Sequence, residues 1–303
     1  MSAPSFRPFR PSPVGRPRRR SAGPLFVTPF MLLFVIFLVV PFAWGLWMSF
    51  TDASLTGSGD STFSGLNNYA EALTDPVMWD TMGNTVVFTL LSTVPLVMFA
   101  LGMALLVHTG LPGQWLWRLA FFTPYLLTSA VVWQVGLMLF QPDIGMLNTV
   151  LKAVGLDGIG WLLEEKYAMW SMVLITVWWT VGFNFLLYLA ALQTVPDQLY
   201  EAAAIDGAGA WRRLWSITLP QLHRTTALIA VLQILGSLKV FDQIFLLTRG
   251  GPNGSTRPVL EYIFETGFTG YRLGYASAMS YIFFALLLVL SIGQLKFFSR
   301  REA

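Results

Sequence analysis

The chain has 303 residues, of which 55% are hydrophobic and 12% are charged, and its formal net charge is +3. Soluble globular proteins carry about 25% charged residues, so this composition excludes an ordinary soluble domain. Because the sequence contains no cysteine, disulfides and thiolate metal sites are excluded as well.

Residues 1–24 form a basic, proline-rich segment with six arginines and no acidic residue. We predict that this segment is a disordered cytoplasmic tail, because arginines beside a first membrane helix are typical of the inner side of the membrane. Contact with anionic lipid or with nucleic acid is an alternative, and the positive-inside interpretation is favoured. The apolar run that follows is too long for a cleavable secretory signal.

Long apolar runs dominate the rest of the chain and predict an all-α polytopic membrane protein with a transmembrane domain at 25–303. Five runs without Asp, Glu, Lys or Arg exceed the ~20 residues that cross a bilayer, at 21–51, 81–117, 119–142, 167–196 and 273–295. A sixth run, 225–248, is interrupted only by Lys239 and Asp242. The predicted transmembrane helices are about 25–50, 81–107, 119–140, 167–193, 225–247 and 274–298.

The charges of the loops predict the orientation of these helices. The loop at 52–80 has five acidic residues and no basic one, whereas the segment at 197–224 contains Arg212, Arg213 and Arg224. Because Lys and Arg accumulate in cytoplasmic loops, the alternation through the first four helices predicts that both termini are cytoplasmic. The fifth loop has an ambiguous charge and is assigned by parity.

The cytoplasmic segment at 194–222 contains the sequence EAAAIDGAGAWRRLWSITLP. It predicts an alanine-rich helix followed by Gly207 in the left-handed position after the helix end, and a second short helix that ends at Pro220. Large apolar side chains, Trp211 and Trp215 among them, predict burial against this chain or a partner. A solvated re-entry loop is the alternative.

The spacing Glu201-Ala202-Ala203, Gly207, Ile217 and Leu219-Pro220 resembles the EAA signature of permease subunits from bacterial ATP-binding-cassette (ABC) importers. The segments SGLNNYAEAL and FDQIFLLTRGGP are similar to the carbohydrate-uptake class, relatives of the large maltose permease subunit and of glycerol-phosphate permeases. The resemblance implies a coupling helix that contacts a separate ATPase. The implied coupling residues are Glu201, Ala202, Ala203, Asp206, Gly207, Arg212 and Arg213.

No G-x-x-x-x-G-K-[ST] phosphate loop occurs in the sequence, so ATP hydrolysis must take place on another chain. The resemblance implies four kinds of partner: a dimer of ATP-binding subunits that carries ATP and Mg²⁺, a second homologous permease, an extracytoplasmic solute-binding protein and membrane lipid. We expect a non-enzymatic subunit of a bacterial inner membrane that binds no cofactor, metal or nucleic acid itself.

The predicted substrate path follows the fourth and fifth helices, where TVWWTVGFNF offers aromatic and hydrogen-bonding side chains together. Resemblance to the maltose permease subunit implies a sugar lining of Thr176, Trp179, Thr180, Phe183, Gln233, Ser237 and Val240, and Asn184 is a further polar side chain within a span. Packing of the tryptophans against lipid or helices remains an alternative.

Lys239 and Asp242 lie three residues apart within a predicted span, where charges are costly and often functional. Their spacing predicts that they face one another on the helix, as a structural ion pair or as substrate contacts.

The leading hypothesis is a permease for a sugar or oligosaccharide, and glycerol-3-phosphate or a glycerophosphodiester is the alternative substrate. A stand-alone secondary transporter would need more ionisable residues in its spans than Lys239 and Asp242. An intramembrane enzyme has little support, because His108 and His223 are isolated in the sequence.

Overall fold

The structure is a computed structural model that describes residues 23–57, 61–110 and 112–299. The predicted tail lies outside the described residues apart from its last two positions, which already belong to a helix that begins at Gly23. The chain divides into two compact units, residues 1–45 and 46–303, and each is described by itself.

The described residues are predominantly helical, as predicted. In chain order the α-helices are α1 Gly23–Phe34, α2 Val40–Ser49, α3 Asn67–Thr74, α4 Pro76–His108, α5 Gln114–Phe122, α6 Ser129–Phe140, α7 Met146–Ala153, α8 Glu165–Leu192, α9 Asp197–Ile205, α10 Ala210–Arg213, α11 Leu219–Leu238, α12 Asp242–Leu247, α13 Val259–Phe264 and α14 Leu273–Ser299. A 3₁₀ turn at Thr123–Leu126 and π-helical turns at Val35–Val39, Leu214–Thr218 and Glu265–Thr269 adjoin these helices.

The first unit contains helical residues with an apolar surface. Phe26, Phe30, Ile36 and Phe37 are all exposed. Side chains of this kind are stable in contact with lipid hydrocarbon or with another apolar surface.

The core of the second unit is built around α8, which packs against both α4 and α11. Leu96 of α4, Met172, Phe185 and Tyr188 of α8, and Ile229 of α11 are fully buried in one hydrophobic cluster. Close packing of these large side chains fixes the three helices relative to one another.

Four helical segments of the described residues are long and apolar enough to cross a membrane: Phe26–Ser49, Pro76–His108, Glu165–Leu192 and Leu273–Gln294. A fifth span is possible if the bent pair Gln114–Leu126 and Ser129–Phe140 counts as one crossing. The chain is therefore a polytopic helical protein, and the predicted sixth span stays a prediction.

The predicted helix at 119–140 is wrong as a single straight helix, because its two halves meet at 99°. Pro124 lies in the 3₁₀ turn between them, and Leu127 and Thr128 are extended. Thr123, before the proline, keeps the α conformation, so the bend itself falls at the extended Leu127 and Thr128. Pro124 weakens the helical hydrogen bonding just upstream, because it cannot donate a backbone hydrogen bond.

The predicted helix at 225–247 is wrong at its start and in its continuity, although α12 does end at Leu247. Its helical structure begins upstream, because α10, the π-helical turn and α11 follow one another without a gap. The predicted end of a helix at Pro220 is therefore also wrong. Pro220 lies in the first turn of α11, and the wider π-helical turn before it accommodates the hydrogen bond that proline cannot make. At the other end, the helix breaks between Leu238 and Asp242.

The second predicted transmembrane helix corresponds to α4, which begins at Pro76, five residues before the predicted start at 81. Asp75 caps it, since its Oδ1 accepts a hydrogen bond from the Val77 amide at 2.8 Å. Its Oδ2 accepts hydrogen bonds from the phenols of Tyr262 at 2.6 Å and Tyr275 at 2.7 Å. Asp75 therefore joins the start of α4 to α13 and α14.

Candidate functional site

A cavity of about 310 Å³ lies among α4, the bend after Pro124, α8, α11 and α12. Its lining consists of aromatic side chains together with uncharged amides and hydroxyls: Phe88, Tyr125, Thr176, Trp179, Thr180, Phe183, Asn184, Leu232, Gln233, Gly236, Ser237 and Gln243. Seven of the ten residues predicted for the substrate path are in this list.

Two contacts of α8 hold the bend over the cavity. A Cβ atom at Gly182 would collide with the carbonyl oxygen of Phe121, so only glycine allows the backbone of α5 to approach so closely. The indole Nε1 of Trp179 donates a hydrogen bond to the carbonyl of Leu127 at 3.1 Å. As a result, the ring of Tyr125 stacks on that of Phe183 with centroids 5.3 Å apart.

A chain of side-chain hydrogen bonds crosses the cavity wall. Asn184 Nδ2 donates to Gln233 Oε1 at 3.0 Å, and Gln233 Nε2 donates to Ser237 Oγ at 3.0 Å. Ser237 also accepts from Ser92 Oγ of α4 at 3.1 Å. Amides that are already engaged with each other are held in fixed orientations, which pre-organises the groups that line the cavity.

Thr176 contributes a hydroxyl without a protein partner. Its Oγ1 is buried and makes no hydrogen bond within the described part of the chain, and the side chain lines the cavity. A buried hydroxyl without a partner is costly, so this atom offers an unused hydrogen-bonding position to a ligand or to water.

Sequence reasoning missed several lining residues, of which Tyr125 and Gln243 have the most useful chemistry. Tyr125 follows Pro124, and a bend at this proline would have been the signal that the residue leaves the helix and can turn inward. Gln243 lies just beyond the break after α11, on α12. The sequence predicted one continuous helix here, and a continuous helix does not indicate that Gln243 lines the same cavity as Gln233.

Three predicted residues lie outside the lining of this cavity: Val240, Lys239 and Asp242. Val240 is buried in the hydrophobic core. Lys239 and Asp242 are both described and exposed, yet no ion pair joins them, so their predicted pairing on one helix is wrong. They occupy opposite sides of the helix break, with Lys239 at the C-terminal cap of α11 and Asp242 at the start of α12. Each charge is favourably placed for the dipole of its own helix.

The predicted coupling residues lie on α9, on the turn that follows it and, for Arg212 and Arg213, on α10. The helix ends at Ile205, and Gly207 adopts the left-handed φ of +74°, as predicted. The amide of Ala208 donates to the carbonyl of Ala203 at 2.8 Å and that of Gly207 to Ala204 at 3.1 Å, which is the Schellman pattern of helix termination. This motif fixes the direction of the chain as it leaves α9.

Most of the predicted coupling residues are exposed: Glu201, Ala202, Asp206, Gly207 and Arg212. Ala203 and Arg213 are half-buried. Ile205 is 87% exposed, Trp211 73% and Trp215 65%. Because apolar side chains of this size are rarely left in water as a group, the exposed face indicates contact with a partner or with the membrane.

The segment 248–272 carries a buried carboxyl group. Glu261 of α13 is fully buried, and neither carboxyl oxygen has a hydrogen-bond partner among the described residues. Burial and, next, the neighbouring charge of Glu265 raise the pKa of Glu261 to about 7, against the opposing effect of Arg257. Arg257 Nη1 instead pairs with Glu265 Oε2 at 3.3 Å.

Comparison with known proteins defines the class to which this fold and cavity belong. Residues 20–302 match the family described as "Binding-protein-dependent transport system inner membrane component". The chain is 35% identical over 262 residues to the sulfoquinovosyl glycerol transport system permease protein SmoG of Agrobacterium fabrum, covering 86% of this chain and 85% of SmoG. It is 33% identical over 278 residues to the probable ABC transporter permease protein YurN of Bacillus subtilis, covering 90% and 94%.

Among solved structures, the chain is similar in fold to a bacterial ABC transporter involved in the import of the acidic polysaccharide alginate. The TM-score is 0.79 at 24% identity, covering 92% of this chain and 96% of that chain.

The chain therefore belongs to the family of binding-protein-dependent transport system inner membrane components. It is a permease subunit of an ABC importer, a non-catalytic multi-pass membrane subunit whose ATPase is a separate subunit.

Proposed function

We propose that this permease forms half of the translocation path for a neutral sugar or oligosaccharide. The observation that carries the proposal is the composition of the cavity, in which aromatic rings lie beside amides and hydroxyls. The stacked rings of Tyr125 and Phe183 offer an apolar face for a pyranose ring, and Asn184, Gln233 and Thr176 offer hydrogen-bond partners for its hydroxyls.

The charge of the cavity lining favours a neutral substrate over an anionic one. Phosphate and carboxylate groups are bound in proteins by Arg or Lys through charge-assisted hydrogen bonds, and all twelve lining residues are uncharged. The second candidate, glycerol-3-phosphate, has its support in relatives such as the sn-glycerol-3-phosphate transport system permease protein UgpA of Brucella abortus, which is 33% identical over 282 residues.

The remaining partners follow from the same proposal. A second homologous permease completes the path, a dimer of ATP-binding subunits supplies ATP and Mg²⁺, and an extracytoplasmic solute-binding protein delivers the substrate. Both termini are cytoplasmic in this arrangement, and α9 lies on the cytoplasmic side as the coupling helix. Its exposed Glu201 and Ile205 support contact with the ATPase, and Arg212 after the Schellman turn is exposed as well.

The coupling proposal is tested with the assembled importer in proteoliposomes, by measuring uptake and ATP hydrolysis together. We expect Glu201→Ala to lower uptake by about tenfold, the equivalent of one charge-assisted hydrogen bond, with residual ATP hydrolysis that no longer depends on the substrate. Asp197→Ala removes an exposed acid from the first turn of the same helix and is the matched control, which keeps normal uptake. Normal transport by both Glu201→Ala and Gly207→Pro would exclude α9 as the coupling helix.

The substrate proposal is tested by comparing one cavity residue with one charged residue outside the cavity. We expect Asn184→Leu to lower sugar uptake by about tenfold, because it removes a hydrogen-bonding group and leaves Gln233 Oε1 unpaired. Lys239→Met keeps sugar uptake within about twofold of wild type, since its charge lies outside the lining. Strong loss of transport with Lys239→Met and normal transport with Asn184→Leu would favour the phosphorylated substrate.

A further inference from the structure

A second cavity, of about 730 Å³, lies between the end of α4 and the segment formed by α9 and α10. We call it the interfacial groove, and its main lining residues are Leu105, His108, Tyr200, Trp211, Arg213 and Thr218. The hydroxyls of Tyr200 and Thr218 are 3.0 Å apart and hydrogen-bonded to each other, so they close one wall. The known transport activity gives this groove no role.

Arg213 is the charged group of the interfacial groove. Its Nε is buried and lacks a hydrogen-bond partner, and its guanidinium forms no ion pair within the described residues. His108 is the other residue of the lining that can carry positive charge, and the lining contains no acidic side chain. A half-buried guanidinium with unused donors is a favourable site for a planar or tetrahedral anion.

The depth of the groove follows from the sequence of α4. The helix is apolar from Val94 to Val107, and His108 is its last residue. Leu106, which follows the lining residue Leu105 in the sequence, is 57% exposed. Because α4 is long and apolar enough to cross a membrane, the end of its apolar run fits the level of the lipid headgroups. Trp211, which is 73% exposed, also suits this level, where indole rings accumulate.

The groove and the proposed coupling surface are on different faces of α9. Tyr200 lines the groove, whereas Glu201 and Ile205 follow it by one and five residues and are rotated about 100° and about 140° away from it around the helix axis. Both of these residues are exposed. A ligand in the groove therefore leaves the Glu201 face free for a protein partner.

From this arrangement we infer that the interfacial groove binds the headgroup of an anionic phospholipid, with the phosphate on Arg213 and His108 and the acyl chains along Leu105 and Leu106. The occupant is a lipid of the leaflet that adjoins α9, which is the cytoplasmic leaflet in the proposed orientation. Arg213 thereby has a role separate from the other arginine of α10, Arg212.

Native mass spectrometry of the assembled importer, titrated with phosphatidylglycerol or phosphatidylcholine, tests this inference. We expect a saturable phosphatidylglycerol site, and we expect Arg213→Gln to weaken it by about tenfold. Arg224→Gln is the matched control, because it removes an exposed arginine of α11 outside the groove and keeps the site. Thr109→Trp fills the groove while leaving Arg213 in place, and we expect it to abolish phosphatidylglycerol binding. This variant provides the test if the Arg213→Gln complex does not assemble.

Three results would overturn the inference. The first is equal affinity for the two lipids in the wild-type complex. The second is unchanged phosphatidylglycerol binding in Arg213→Gln or in Thr109→Trp. A variant Arg213→Gln that loses the ATPase subunits but still binds phosphatidylglycerol normally would count as this result. The third is displacement of the lipid by soluble glycerophosphoglycerol at similar concentration, which would identify a site for free phosphate esters.

Discussion

At the scale of single residues, Glu261 is a buried acid whose ionisation lowers the stability of the fold. Its carboxyl group is fully buried without a hydrogen-bond partner, and Arg257 is engaged by Glu265. A buried carboxyl with a raised pKa binds its proton more tightly in the folded state than in the unfolded state. Its contribution therefore favours folding at low pH and is progressively lost as the pH rises from about 4.5 to about 7.

We expect Glu261→Gln to stabilise the protein above pH 7, because glutamine removes the buried charge and keeps the shape. The gain is about 1 kcal/mol or more, which corresponds to about 2–4 °C in the unfolding midpoint. Thermal unfolding in detergent at pH 5 and pH 8 measures it, with Glu164→Gln, an exposed glutamate, as the control. A difference between variant and wild type that does not grow with pH would contradict this interpretation.

The sequence predicted individual cavity residues well where they lie on regular helices. Asn184 was found as a polar side chain in an apolar span, and the resemblance to the maltose permease subunit implied Thr176, Trp179, Thr180, Phe183, Gln233 and Ser237. All seven line the same cavity, and their contact with substrate stays a prediction. Tyr125 and Val240 were missed or misplaced because both flank a helix break. There the direction of a side chain depends on tertiary contacts such as the Trp179 hydrogen bond, which no local pattern encodes.

At the scale of the elements, Asp75 connects three helices through one carboxylate. Burial alone would raise the pKa of Asp75, but hydrogen bonds from Tyr262, Tyr275 and the amides of Val77 and Met78 outweigh that effect and lower it. The stability that Asp75 contributes is therefore present above its unfolded pKa and is lost as the pH falls. Arg272 and Glu71 add a bidentate ion pair beside it, at 2.8 and 2.7 Å.

We expect Asp75→Ala to destabilise the fold by about 2–4 kcal/mol, through loss of the helix cap and of the acceptor for two phenols. The measurement is the free energy of unfolding or, in detergent, the shift of the thermal midpoint. Asp80→Ala provides the matched control, because Asp80 is exposed on the same helix. Equal stability of the two variants would show that the tyrosines find other partners.

The elements themselves were predictable from hydropathy, and their interruptions were not. The spans of α8 and α14 agree with the predicted helices to within two residues at each end. Pro124 and Pro220 look alike in the sequence, yet one accompanies a 99° bend and the other lies in helical structure that continues through a π-helical turn. Which outcome a proline produces depends on whether neighbouring helices satisfy the freed carbonyls.

The orientation of the whole molecule in the membrane is open to a direct test, because the chain contains no cysteine. Single cysteines at Asp157 and Gln198 replace exposed residues in two different loops. In intact cells with a permeable outer envelope, we expect an impermeant maleimide to label Asp157→Cys and to label Gln198→Cys only after lysis. The reverse pattern would invert the proposed topology and place α9 away from the ATPase.

The π-helical turn before Pro220 has a mechanical consequence for the whole molecule. Since it joins α10 to α11 without a gap, the helical structure from Ala210 to Leu238 extends about 43 Å along its axis. Gln233 lies 23 residues along it, about 35 Å from Ala210, so a tilt of about 5° about that end displaces the cavity amide by about 3 Å. Such a displacement equals the length of a hydrogen bond, so a small angular change near α9 is enough to disconnect Gln233 from Asn184.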